Sequence, residues 1–229
     1  MTFNNKQVIA LIPARGGSKG IPKKNLRIVK NEPLLCHTIH AAINSVVVDT
    51  IYLSSDDNEI LKIGFSMGVN VLKRSELASS DSASAIQVVS EFINLMPKNI
   101  VDADPYIVYL QPTSPLRTAR HIDGAFAEMQ AKNSTTCLSV VALKKSPYKS
   151  FSLTDEGLLQ SLFNEALSNA NRQELPLTYC PNGAIYIFCV SEFIKKGGFP
   201  SNGSVPYVMT EKESIDIDTE EDISMVEKL

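Results

Sequence analysis

Residues 8–25 read Val8-Ile9-Ala10-Leu11-Ile12-Pro13-Ala14-Arg15-Gly16-Gly17-Ser18-Lys19-Gly20-Ile21-Pro22-Lys23-Lys24-Asn25. The first five form an unbroken apolar run of strand length, which predicts a strand covered on both faces, as in a parallel sheet. The loop that follows has three glycines, a hydroxyl between them and flanking cations. Glycines let backbone N–H groups approach a ligand closely, so these are the parts of a polyphosphate cradle. The spacing is neither G-x-x-x-x-G-K-[ST] nor G-x-G-x-x-G, which argues against a P-loop NTPase and a dinucleotide dehydrogenase. The competing reading is a glycine-rich surface turn with solvated lysines.

Outward from this stretch the pattern alternates. Apolar positions at helical spacing predict a helix over 33–47, with His37, His40 and Asn44 on its other face. A strand is expected over 49–55, a helix over 57–67 with Asp57 as a plausible cap, and a strand over 69–72. A helix over 83–96, a strand over 106–110, a helix over 119–132 and a strand over 137–143 follow. The polar segment 144–182 breaks the rhythm and reads as an insertion or arm. Strands over 184–190 and 205–209 and a final helix over 219–229, capped by Thr219 or Asp218, complete the chain. The expectation is an α/β fold with a Rossmann-like, mainly parallel sheet whose ligands lie at the carboxyl ends of the strands. One domain is expected over 1–229, with 144–182 inserted within it.

The 229 residues are 44% hydrophobic and 21% charged, with no Trp and a net charge of −3. This excludes disordered, collagen-like and membrane-spanning classes, and at this length roughly 70% of the unfolded surface can be buried. The four cysteines, Cys36, Cys137, Cys180 and Cys189, include no C-x-x-C pair, and the N-terminus lacks an apolar signal segment, so a cytoplasmic home is expected. The charge is polarised: residues 1–31 carry a net +7 and residues 211–229 a net −6. The basic head shares its segment with Gly-Gly and Pro turns rather than interleaved aromatics, so phosphate rather than nucleic acid is its expected partner. In the acidic tail Asp216 and Asp218 alternate with Ile215 and Ile217. As a strand this puts both carboxylates on one face about 6–7 Å apart, a hard-oxygen pair suited to Mg²⁺. The other reading is a pair of surface aspartates before a helix. His37 and His40 have no third ligand near in sequence and are expected to be exposed.

Ile12 to Gly20 with Pro22, Lys24 and Asn25 resembles the first signature of the CMP-sialic acid synthetases, or acylneuraminate cytidylyltransferases. Four further matches follow in that family's order: Leu77-Ala78-Ser79 leading to Asp81-Ser82-Ala83-Ser84; Leu110-Gln111-Pro112-Thr113-Ser114-Pro115-Leu116-Arg117; Pro181-Asn182-Gly183-Ala184-Ile185-Tyr186; and Ser214-Ile215-Asp216-Ile217-Asp218-Thr219. Together they run from end to end of the chain.

The resemblance implies a nucleotidyltransferase-type fold with a protruding dimerisation arm, and transfer of CMP from CTP to the anomeric hydroxyl of N-acetylneuraminate with release of pyrophosphate. The same reaction on legionaminic or pseudaminic acid is the alternative, and a non-catalytic nucleotide or nucleic-acid binder the remote one. Arg15, Lys19 and Lys24 are the expected catalytic cations. Pro13, Ala14, Arg15, Ser18, Asn25, Arg74 and Ser84 are the implied nucleotide contacts, although Ser84 also reads as a helix cap. Gln111, Lys149, Arg172 and Tyr186 are the implied sugar-acid contacts, Lys149 and Arg172 reaching the neighbouring subunit's site in a homodimer. Tyr186, lying within an apolar strand, also has a core reading, the commoner one for such a Tyr, and Arg117 a structural one. Asp216 and Asp218 are the implied Mg²⁺ ligands. Cys180 replaces an Arg that relatives carry before Pro-Asn-Gly, which removes one cation from the site. The two charged ends of the chain should meet, with Lys19 and Asp216 bordering one cleft.

Overall fold

The computed structural model describes residues 6–18, 20–79 and 83–229. Lys19, Asp81 and Ser82, singled out above, lie outside them. The central sheet has seven strands: β1 (Val8–Pro13), β2 (Thr50–Ser55), β3 (Asn70–Lys73), β4 (Tyr106–Tyr109), β5 (Thr136–Ala142), β6 (Tyr179–Cys189) and β7 (Val205–Val208). Their order is β7-β5-β6-β4-β1-β2-β3. β1 pairs in parallel with both β2 and β4, and β3 with β2, whereas β6 runs antiparallel to β4 and β5.

The run at 8–12 behaves as its apolarity requires, since every residue from Val8 to Ile12 is at most 2% exposed. Val8, Ala10 and Ile12 face α1 (Leu34–Ile43) and α4 (Ala119–Ala131) through Leu35, Ile39, Ile122 and Phe126. Ile9 and Leu11 face the other way, toward Val89, Phe92 and Ile93 of α3 (Ala85–Leu95). The two-residue period of the strand thus feeds two cores, each fully buried large side chain contributing about 1.5–3 kcal/mol.

Most elements fall within a few residues of expectation. Asp57 caps α2 (Asn58–Ser66), its carboxylate accepting the Glu59 and Ile60 N–H groups, and Thr219 caps α5 (Glu220–Glu227). Four readings need correction. α1 ends at Ile43, so Val46, expected on its apolar face, is 76% exposed. β6 begins at Tyr179, inside the segment assigned to the arm, because Tyr179, Cys180 and Pro181 pair with Ala142, Val141 and Val140 before a bulge. Proline is tolerated there because the ladder shifts register directly after it. Residues 215–218 belong to no sheet and are held instead by separate bonds, Ile217 N–H donating to Thr113 O at 2.8 Å, Asp218 N–H to Asp222 Oδ2 at 3.0 Å, and Lys24 Nζ to Ile217 O. Finally, the helix Val190–Lys196 had no sequence forecast.

The arm carries a hairpin, Phe151–Leu153 with Leu159–Ser161, and a short helix, Glu165–Asn169. It leaves Phe151, Leu153, Leu158, Leu159, Leu162 and Phe163 exposed. Among the described residues no helix is long and apolar enough to cross a membrane.

A third core joins the two ends of the chain. Ile21, Val29 and Leu34 pack with Ile217, Ile223 and Val226, and Ile215 and Leu116 lie against them. The isoleucines of the 215–218 segment therefore point inward as expected, although no ladder holds them.

Candidate active site

At the carboxyl ends of β1, β3 and β4 lies a cleft of about 260 Å³. Pro13, Arg15, Gly17, Ser18, Lys24, Asn25, Arg74, Gln111 and Thr113 line it with Ala83, Ala85 and Tyr109. The topology explains the convergence: parallel strands end on one edge of the sheet, so the loops after β1, β3 and β4 open together.

The glycine loop is braced from behind. Ala14 is fully buried and its N–H donates to Ser54 O at 2.9 Å, so of the two residues expected to read the base only Pro13 faces the cleft. The Asn25 side chain is 7% exposed and donates to Arg15 O at 2.8 Å. Its amide nitrogen thus holds the loop rather than a ligand. Gly16 N–H donates to Asp56 Oδ1 at 2.9 Å, so this amide too is occupied within the protein. Gly20 packs on the chain's far end: a Cβ there would stand 2.5 Å from Asp218 O.

Arg74 is 6% exposed, and its guanidinium donates to Ser54 Oγ at 3.2 Å and Ser54 O at 2.9 Å. Burial pushes its pKa down, partly offset by Tyr109, Asp56 and Glu91. Its backbone N–H also bonds Ser55 O at 2.9 Å, and Arg74 lines the cleft despite the short spacing to Leu77. Ser84 is the N-cap of α3: its hydroxyl accepts from Gln87 N–H and its N–H donates to Gln87 Oε1 at 2.7 Å. The capping reading of Ser84 describes its side chain, and Ala83 and Ala85 rather than Ser84 meet the cleft.

Gln111 follows β4 and its side chain is hydrogen-bonded to the Tyr109 hydroxyl. Gly183, at φ +78°, lets Gln111 Oε1 approach so closely that a Cβ would stand 2.6 Å from it. Arg117 underpins this corner. It is 1% exposed and donates to Gln111 O at 2.9 Å, Ala184 O at 3.0 Å and the Thr38 hydroxyl, while desolvation lowers its pKa to about 9. Its structural reading holds. Asn182 is a second brace, its Oδ1 accepting from the Ser139 hydroxyl at 2.6 Å and its Nδ2 donating to Ser214 Oγ at 2.9 Å. Tyr186 packs edge-on against Tyr109 and near Phe199, and burial raises its pKa, with Asp216 adding to the rise. It stands behind the cleft, as its core reading expects.

Lys24 and the acidic tail meet. Lys24 Nζ donates to Asp218 Oδ1 and to Ile217 O, both at 2.8 Å. Asp216 receives a hydrogen bond from Thr113, and its pKa is raised by desolvation, the Thr113 bond opposing and Asp218 reinforcing the rise. Asp216 and Asp218 do not line the cleft themselves but reach its rim through Thr113 and Lys24. Asp216 also borders a second groove with Val141, Leu143, Ile215 and Met225. Among the described residues no three His, Cys, Asp or Glu side chains are grouped to hold a metal. The pair offers two hard-oxygen donors, which fits an ion that keeps waters and takes phosphate oxygens rather than one caged by protein.

The remaining candidates lie elsewhere. Lys149 and Arg172 are exposed on the arm, Arg172 donating to Lys144 O, and neither lines the cleft. The His37 side chain is only 16% exposed, correcting its expected exposure, because Glu32 and Val29 O bind its two ring nitrogens. His121 is 4% exposed and pairs with Glu213 at 3.2 Å. Sequence reasoning missed Asp56, Thr113 and His121 as braces, because each acts on a partner distant in sequence.

The seven-stranded sheet with its cleft at the glycine loop is the architecture of the α/β nucleotidyltransferases. A solved CMP:2-keto-3-deoxy-manno-octonic acid synthetase superposes with a TM-score of 0.70 over 97% of each chain, at 15% identity. The 4-diphosphocytidyl-2C-methyl-D-erythritol synthase of Anaerococcus prevotii gives 0.66 over 99% of this chain and 96% of its own, at 14% identity. These establish the fold. Residues 9–187 match the family model described as Cytidylyltransferase, and the chain belongs to that family. It is 32% identical to the N-acylneuraminate cytidylyltransferase of Streptococcus agalactiae serotype V over 93% of this chain and 51% of that protein. The chain therefore spans about half the length of that relative. It is 33% identical to the CMP-N,N'-diacetyllegionaminic acid synthase of Legionella pneumophila over 97% of this chain and 96% of that protein.

Proposed function

We propose that this chain transfers CMP from CTP to the anomeric hydroxyl of a nonulosonic acid, with N-acetylneuraminate as the substrate. The hydroxyl oxygen bonds to the α-phosphorus, the bond from that phosphorus to the bridging oxygen breaks, pyrophosphate leaves, and the hydroxyl proton is released. The chemistry is chiefly positioning and neutralisation of phosphate charge. The observation that carries the reading is the single cleft lined together by Arg15, Gly17, Ser18, Lys24, Arg74, Gln111 and Thr113.

In this reading Arg15 and Lys24, with Lys19, hold the triphosphate and the departing pyrophosphate, and the Gly17 and Ser18 amides complete the cradle. Pro13 and Arg74 flank the base. Gln111, set by Gly183 and Arg117, orients the sugar acid. Asp216 and Asp218 would hold a divalent cation, Mg²⁺ by their oxygen donors, which when bound offsets phosphate charge. Lys149 and Arg172 reach the site of a second copy, making the enzyme a cytoplasmic homodimer with no nucleic-acid partner, and the part of 144–182 that precedes β6 is its dimerisation arm within one domain.

Supplying CTP, Mg²⁺ and a panel of sugar acids to the purified chain tests this, with pyrophosphate release measured. Release with N-acetylneuraminate is expected, and no release with any nonulosonate overturns the proposal. The legionaminate reading is favoured by one observation, the match along nearly the whole of both chains to the Legionella synthase. Higher kcat/KM with the diacetylated legionaminic acid would decide for it.

A further inference from the structure

Asp56 stands one residue past β2, half-buried, with its carboxylate turned to the glycine loop. Its Oδ1 accepts the Gly16 N–H at 2.9 Å across 40 residues of sequence. The contact is close-fitted on both sides. A Cβ at Gly16 would stand 2.8 Å from both Cβ and Oδ2 of Asp57, so only glycine lets the loop come this near. Asp56 is fixed in turn, because Lys73 Nζ donates to its carbonyl at 2.6 Å and to Asn58 Oδ1 at 2.9 Å. Asp57 caps α2 and cannot swing away without uncapping it. The same corner of β2 receives Ala14 N–H and the Arg74 guanidinium on Ser54. One rigid strand end therefore holds the entry to the loop, its first glycine and a cleft cation.

A carboxylate beside an anion cradle opposes phosphate by charge. Its presence is explained if the bond it makes outweighs that repulsion: a charge-assisted acceptor fixes a glycine-rich loop that otherwise carries high conformational freedom. We propose that Asp56 is a positioning residue. By accepting the Gly16 N–H it sets the course of residues 15–18, so that the Arg15 side chain and the Gly17 and Ser18 amides are already placed for a polyphosphate. The placement is seen in the cleft, and its use by CTP rests on the proposed function.

Asp56→Ala and Asp56→Asn in the full chain separate the possibilities, because asparagine keeps the acceptor and loses only the charge. Hydrogen exchange of the 15–18 amides without any ligand reads the loop itself. In Asp56→Ala exchange at Gly16 rises about tenfold and KM for CTP rises about tenfold, with kcat and the sugar-acid KM within about twofold. Asp56→Asn, which keeps an acceptor without the charge, lies between Asp56→Ala and wild type in exchange and in KM for CTP. Unchanged exchange in Asp56→Ala, or an Asp56→Asn as impaired as Asp56→Ala, overturns the proposal. So does tighter CTP binding in both variants, which would make Asp56 a stand-in for phosphate that blocks the cradle. If wild type fails to use CTP yet exchange follows this pattern, the functional reading falls and the positioning role stands.

Discussion

Lys24 Nζ and Asp218 Oδ1 are 2.8 Å apart although 194 residues separate them in sequence. The same ammonium donates to Ile217 O, and the Lys24 side chain is only 14% exposed, so the pair is held by packing as well as by charge. This contact joins the basic head of the chain to its acidic tail at the rim of the cleft.

Lys24→Met keeps the aliphatic stem and removes the cation. Loss of a group that faces developing phosphate charge costs about a hundredfold in turnover, to be read from steady-state pyrophosphate release. A variant within about twofold of wild type would leave Lys24 as a structural tether only.

Asp216→Asn removes a carboxylate whose ionised form the surrounding protein disfavours. The variant should melt no lower than wild type without metal. Wild type should gain melting temperature on adding Mg²⁺ with CTP, because a ligand that binds only the folded state stabilises it. The variant should lose most of that gain, and an undiminished gain would place the cation elsewhere.

His121 provides a pH signature. Desolvation holds its pKa below the ordinary value of 6.5, against the opposing pull of Glu213. The unfolded chain thus takes up a proton below pH 6.5 that the folded chain refuses, so stability falls as pH drops from there to the depressed value. In His121→Gln the difference between melting temperatures at about pH 7.5 and pH 5.5 should shrink, even if the variant is less stable throughout. An unchanged slope would assign the acid sensitivity to other groups.

Gly183→Ala forces a Cβ onto a left-handed backbone and to 2.6 Å from Gln111 Oε1. The backbone cost is about 1–2 kcal/mol, and the displaced Gln111 should raise KM for the sugar acid while KM for CTP is kept. Equal losses for both substrates would mean that the corner holds the whole cleft and not one subsite.

Mixing Lys24→Met with an Arg172→Ala, Lys149→Ala double variant tests the arm. If arm residues complete a neighbour's site, exchanged heterodimers contain one intact site, and a one-to-one mixture should recover about a quarter of wild-type activity. No recovery after proven exchange would confine Lys149 and Arg172 to their own subunit.

The strand at 8–12, the glycine loop, the Asp57 and Thr219 caps and most of the alternating elements were legible because their signals are local. Apolar runs, helical periods and hydroxyl or carboxyl caps depend on neighbours a few residues away. The ordered motifs likewise pointed to the cytidylyltransferase family and to the residues that gather at the cleft. The reversed direction of β6 was not legible, since an apolar run has no polarity and its first paired residues lay in what read as an arm.

By itself, then, the sequence determined which segments are strand, helix and cradle, and that phosphate-binding cations and a carboxylate pair are present. Tertiary structure alone decided what each polar group is committed to. Gly16 N–H, Asn25 Nδ2 and the Ser84 hydroxyl, all candidates for a ligand, are taken by Asp56, Arg15 O and the α3 cap. Lys24 is brought to Asp218, and Arg117 to the carbonyls behind Gln111. Buried polar groups must find partners, and which partner is near depends on how the sheet orders its strands, a long-range outcome that no local spacing encodes.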